Sequence, residues 1–151
     1  VYGDTGSTTF CMEKAGVSGK VLGESFEEIG RYIKAIEKKD KRLKGKIGVC
    51  FDTCHAFASG YDLRTPAAVK ATGKLFDVHI GLERLKLLHA NDSKFGLGEK
   101  KDRHDHLGKG KIGAAGFTAL AKHPAFGKVN WYLETEHDAV KKDIAFVKKI
   151  R

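Results

Sequence analysis

Long hydrophobic runs are missing from this chain, and so are paired cysteines. No apolar stretch reaches the ~20 residues that a membrane-spanning helix needs. The opening residues, VYGDTGSTTF, lack the basic flank and apolar core of a secretory signal. Cysteine occurs three times, at Cys11, Cys50 and Cys54, an odd number with no CxxC pair. Cys11 and Cys50 lie inside apolar runs, which excludes a disulfide framework and reads as buried small side chains in a reducing compartment. There is no proline-rich linker, low-complexity block or internal repeat. Methionine occurs once, at Met12, and the chain opens on Val1, so a native start upstream is expected. These absences lead to the expectation of a cytoplasmic protein with no membrane partner.

What is present suits one domain, residues 1–151, with a real hydrophobic core: 41% of the 151 residues are hydrophobic. Lysine and arginine number 28 against 19 aspartates and glutamates, a formal charge of +9. So large a basic excess argues for a polyanionic partner, nucleic acid first. Solvated helix faces account for the lysines equally well on charge alone.

Four short apolar runs, Thr9 to Glu13, Ile47 to Asp52, Leu85 to His89 and Val129 to Glu134, alternate with helical patterns. Their continuous rather than alternating hydrophobicity predicts parallel strands buried on both faces. Phe26, Ile29, Ile33 and Ile36 form the apolar stripe of the first helix, opened by the capping-box pair Ser25 and Glu28. Lys38, Lys39, Lys41 and Arg42 crowd its far end, where cations suit the helix dipole. A second helix is predicted from the Thr65 cap and Pro66, with a break at Gly73. A third covers about Ala114 to Lys122, and a last runs from about Asp138 to Lys149 with Val140, Ile144 and Val147 on one face. Strand and helix in alternation predict a parallel α/β protein, whose functional residues gather beyond the carboxyl ends of its strands.

Each of the four strands ends in a potential metal ligand: Glu13, Asp52, His89 and Glu134. A set of oxygens and one imidazole without thiolate suits zinc or manganese in a catalytic role better than structural zinc. Cys54 is expected to face away into packing, with Thr53. The loop from His89 to Gly113 holds a second group, Asp102, His104, Asp105 and His106. Asp102 and His104 share one side of an extended segment, and His55 could join them. Taken alone, that loop reads as a charged, glycine-rich surface loop. Taken with the strand ends, it suggests a multinuclear site of the kind that hydrolyses phosphodiesters, in which basic charge gathers nucleic acid and carboxylates hold metal.

GVCFDTCHAFASGYDLRT, LLHANDSKFG, DRHDHLGKGKIG and YLETE, taken together and in this order, resemble the endonuclease IV family of apurinic/apyrimidinic endonucleases. The resemblance runs from about Cys11 to the C-terminus. It implies a TIM (β/α)8 barrel of the xylose-isomerase-like kind, three zinc ions, and cleavage of double-stranded DNA on the 5′ side of an abasic site in base-excision repair. By the same resemblance Glu13 is the catalytic-site glutamate that bridges the first two zinc ions, near the hydroxide that attacks the phosphate. Asp52, His89 and Glu134 are the remaining protein ligands of the second ion, and His55, Asp102 and His104 are those of the third. Asn91 and Asp92 are expected to support the ligands or face the substrate.

The resemblance also implies what is missing. The family takes two further histidines, ligands of the first zinc, from the N-terminal half of its barrel, and a whole barrel needs ~250 residues. The chain is therefore expected to be the C-terminal half, about four βα units, with two complete zinc sites at most. Half a barrel leaves open strand edges and interior apolar residues. A fragment of a longer protein is the favoured explanation, ahead of a homodimer or completion by another chain. Two other functions compete: a sugar isomerase or epimerase, and a metal- and DNA-binding remnant without turnover. A single-site isomerase has no use for His55, Asp102 and His104.

Overall fold

Ser25 starts the first helix as expected. Its hydroxyl accepts from the N–H of Glu28 at 3.1 Å, and the Glu28 carboxylate accepts from the N–H of Gly23 at 2.9 Å and from the Tyr32 hydroxyl at 2.8 Å. Helix α1 then runs Phe26–Lys39, burying Phe26, Ile29 and Ile33, with Lys38 and Lys39 in its last turn. The computed structural model describes residues 10–13, 23 and 25–151, and at 10 and 13 the backbone alone.

The first described strand, β1, is Phe10–Glu13, and β2 is Ile47–Asp52. A short helix α2, Thr53–Ala58, follows β2 directly. Its start is set by Asp52, whose Oδ1 accepts from the N–H of His55 at 2.8 Å. Thr65 caps α3, Pro66–His79, which passes through Gly73 without the expected break. The reason for glycine there is proximity: a Cβ at position 73 would lie 2.8 Å from Nε2 of His123. Strand β3, Leu85–His89, leads to a small antiparallel hairpin, β4 Asp92–Ser93 with β5 His104–Asp105. Helix α4, Gly113–Lys122, strand β6, Asn130–Tyr132, and helix α5, Val140–Ile150, complete the chain.

The main sheet has the order β1-β2-β3-β6 and every pairing is parallel. The expected burial on both faces holds for β2, all six residues of which are buried. It fails for β3, where Lys86 is exposed, and for β6, where Asn130 and Tyr132 are exposed. Among the described residues β6 pairs with β3 alone, so one side of it has no neighbouring strand. Cys11, expected to be buried, is exposed on β1, which likewise lies at an end of the sheet.

One layer of aromatics joins the sheet to its helices. The Phe51 ring lies 4.8 Å from that of Phe126, 6.0 Å from Phe26 and 6.1 Å from Phe76, and all four side chains are fully buried. Phe26 also stacks on Tyr61 at 3.9 Å, and the Tyr61 hydroxyl accepts from the Phe26 N–H at 3.1 Å. This packing holds the helices on one face and leaves the carboxyl ends of the strands free to present side chains.

Candidate metal centre

Parallel pairing puts Asp52 in register with His89, so two strand-end residues that are distant in sequence become neighbours. Glu134, two residues beyond β6, completes a first group: Asp52, His89 and Glu134 offer ligand atoms all within 4.8 Å of one another. Nδ1 of His89 lies 3.8 Å from Oδ2 of Asp52 and 3.3 Å from Oε2 of Glu134. Buried Asn91 binds the group together. Its Nδ2 donates to Asp52 Oδ2 at 2.8 Å and to Glu134 Oε2 at 3.1 Å, while its Oδ1 accepts from the Glu134 N–H at 3.0 Å. Asn91 is itself fixed by Thr53, whose Oγ1 donates to the Asn91 carbonyl at 2.6 Å and accepts from the Asn91 N–H at 2.9 Å. Thr53 therefore does more than pack.

The second group forms where α2 faces the β5 hairpin. Nε2 of His55 lies 3.0 Å from Oδ2 of Asp102, and Nε2 of His104 lies 3.3 Å from Oδ1 of the same carboxylate. His55 and His104 also come within ligand distance of Asp52, whose Oδ1 is 3.9 Å from Nδ1 of His55. Asp52 thus faces both groups, one oxygen toward each. Nδ1 of His104 is 3.4 Å from the carbonyl oxygen of Glu134, which links the groups a second time.

Burial pushes the Asp52 carboxyl above its ordinary pKa, opposed by His55 nearby and by the His55 N–H. Cys54 does not face away as expected. It is buried with its Sγ 3.8 Å from the Arg103 carbonyl and 4.0 Å from Asp102 Oδ1, because α2 turns it toward the hairpin loop. Burial pushes its thiol up to about 12.

The backbone of Glu13 ends β1, paired with Cys50 one strand over from Asp52, and its side chain lies outside the described residues. The other six expected ligands come together: Asp52, His89 and Glu134 form one group, His104 lies within ligand distance of Asp52 with His55 and of Asp102 with Cys54, and Asp102 sits between His55 and His104. These donors suit a divalent metal: all are carboxylate oxygens or imidazole nitrogens, and among the described residues the buried Nε2 of His104 has no hydrogen-bond partner. A cleft of 300 Å³ opens beside them, lined by Lys94, Asp102, Arg103, His104, Glu134 and Glu136.

Two carboxylates support the site from outside the groups, Asp92, which was expected beside the ligands or the substrate, and Asp143, which sequence reasoning missed. Asp92 organises the Gly108–Gly113 loop from its centre, and Asp143, on α5, reaches His106, Leu107 and Thr135. For Asp92 a signal existed in the glycine-rich GKGKIG run, which is short of side chains and rich in free N–H donors. For Asp143 none did, since it sits beside the apolar face of its helix.

The model of the xylose isomerase-like TIM barrel family matches residues 7–150. "Probable endonuclease 4" of Chlorobium phaeobacteroides (strain BS1) is 44% identical over 131 residues, 87% of this chain and 44% of that protein. "Probable endonuclease 4" of Methanosphaerula palustris is 38% identical over 150 residues, 98% of this chain and 51% of that protein. The crystal structure of endonuclease IV from Thermus thermophilus superposes with a TM-score of 0.72 at 30% identity, covering 91% of this chain and 49% of that one. The chain spans about half the length of the curated relatives it matches. Matches of this extent, over a parallel sheet whose carboxyl edge gathers the two ligand groups, make the chain a member of the endonuclease IV family of xylose isomerase-like TIM barrels.

Proposed function

We propose that this chain is the zinc-holding C-terminal portion of an endonuclease that hydrolyses the DNA phosphodiester on the 5′ side of an abasic site, in base-excision repair. The observation that carries this reading is the pair of oxygen and nitrogen ligand groups meeting at Asp52 beside a cleft with Lys94 and Arg103 on its wall. Asp52, His89 and Glu134 hold one ion, and His55, Asp102 and His104 hold the other. Bound there, zinc supplies Lewis-acid stabilisation of phosphoryl charge and activation of water. The chain's own residues do the rest. Asn91 and Thr53 keep the first ligand group oriented before substrate arrives. Lys94 and Arg103 draw the phosphate backbone toward the cleft, consistent with the formal charge of +9. Glu13 takes the catalytic position by resemblance to the family, and its backbone lies on the strand next to β2.

A sugar isomerase is disfavoured by the second ligand group, which such chemistry does not use. The test is metal analysis followed by incision of a duplex carrying one abasic analogue. Up to two zinc ions per chain are expected, and fewer than one defeats the ligand assignment. Incision on the 5′ side that disappears on chelation and in Glu13→Gln supports the activity. Two bound ions without incision assign this chain to metal binding without turnover.

A further inference from the structure

Glu134 of the first ligand group follows β6 and His104 of the second opens β5, and a buried carboxylate outside both groups touches residues just beyond each. Asp143 on α5 is only 3% exposed. Its Oδ2 accepts from the Thr135 hydroxyl at 2.7 Å and lies 2.7 Å from Nδ1 of His106. Its Oδ1 accepts from the Leu107 N–H at 3.0 Å. Thr135 immediately follows Glu134, a ligand of the first group, while His106 and Leu107 follow His104, a ligand of the second. The far side of the His106 ring is held as well, with Nε2 3.0 Å from Oδ1 of Asp138.

We propose, on the two-site reading above, that Asp143 is a positioning residue that sets the spacing between the two metal ions. A carboxylate is suited to this task because its two oxygens accept from three donors on two separate segments at once. Each contact is at an ordinary hydrogen-bond length, so the link is neither stretched nor compressed. Helix α5 carries the carboxylate as a rigid support. Its hold on both segments keeps Glu134 and His104 at a fixed separation, which the 3.4 Å approach of His104 to the Glu134 carbonyl also reflects. Among the described residues Asp143 touches none of the six side chains of the two groups, so its influence is indirect and divisible. The Thr135 contact governs the first group, and the His106 contact governs the second.

That division is testable with cobalt(II) in place of zinc, using the whole chain and following both cobalt affinity and the visible and magnetic-resonance spectra. Thr135→Val is expected to weaken cobalt in the first group by about tenfold to a hundredfold and leave the second near wild type. His106→Gln is expected to do the reverse. Asp143→Asn, which keeps the shape and much of the hydrogen bonding but loses the charge, is expected to affect both ions and alter their magnetic coupling. Asp143→Glu serves as the conservative comparison and is expected to recover part of the coupling. If all the variants fold and bind both ions with wild-type affinities and spectra, Asp143 is a structural tie alone and the proposal fails. Equal weakening of both ions in Thr135→Val and His106→Gln also overturns it. Failure of the wild-type chain to bind cobalt defeats the two-site reading itself, and this inference with it.

Discussion

The Asp92 carboxylate is fully buried and accepts from the N–H groups of Ser93, Gly108, Gly110, Ile112 and Gly113 at 2.8 to 3.4 Å. All of these donors but Ser93 belong to the stretch that leads from the second ligand group into α4, so one side chain determines how that stretch is folded. Asp92→Ala leaves several buried donors unpaired, and a loss of about 3 kcal/mol in urea unfolding is expected. Gly110 fits the same arrangement by having no side chain, since a Cβ there would overlap the Ser93 carbonyl oxygen and lie 2.6 Å from Oδ1 of Asp92. Gly110→Ala is expected to cost about 1 to 3 kcal/mol and to weaken metal binding with it. Asn91 works at the same scale on the first ligand group. Asn91→Ala removes the amide between Asp52 and Glu134, and a drop of about tenfold to a hundredfold in zinc affinity is expected by competition with a chelating dye.

At the scale of elements, α1 is fastened to the sheet by a fork of charged hydrogen bonds. Arg84 donates to Glu37 through Nη1 at 3.0 Å and Nη2 at 3.2 Å, and also to the Ile47 carbonyl at 3.0 Å, the first residue of β2. Glu37 accepts in addition from the Gly45 N–H at 2.9 Å, and this bond, followed by Arg84, holds its carboxyl below the ordinary pKa of 4.5. A carboxyl held low in the folded state adds stability above its unfolded pKa and loses it as pH falls through the folded value. Glu37→Gln is therefore expected to lower stability at neutral pH and to match the wild type in strong acid, as measured by urea unfolding across pH. The four strands of the main sheet and four of the helices were legible from apolar period, caps and the placement of Pro66. Helix α2 and the β4–β5 hairpin were not: the first is nucleated by a strand-end aspartate that reads as a ligand, and the second spans two residues a side.

For the molecule as a whole, two measurements bear on the proposed function. If DNA approaches along the cleft wall, Arg103→Ala is expected to weaken binding to all duplex sequences alike and to flatten the dependence of log K on log salt by about one unit. If the ligand groups hold zinc only when folded, zinc is expected to raise the thermal midpoint and chelation to lower it again, because an ion bound by the folded state alone shifts the equilibrium by mass action. The sequence alone determined the alternation of strand and helix, the candidate ligands at the strand ends and the family, because hydrophobic period, caps and long motifs are local and survive without a partner. Only the tertiary structure decided that Asp102 lies between His55 and His104, that Cys54 turns toward them, and that Asp52 faces both groups. The same holds for the supporting contacts, which join residues far apart in the chain: Asn91 meets Glu134 across 43 positions, and Leu107 meets Asp143 across 36. Such pairings depend on strand register and on where α5 docks, and neither has a local signature.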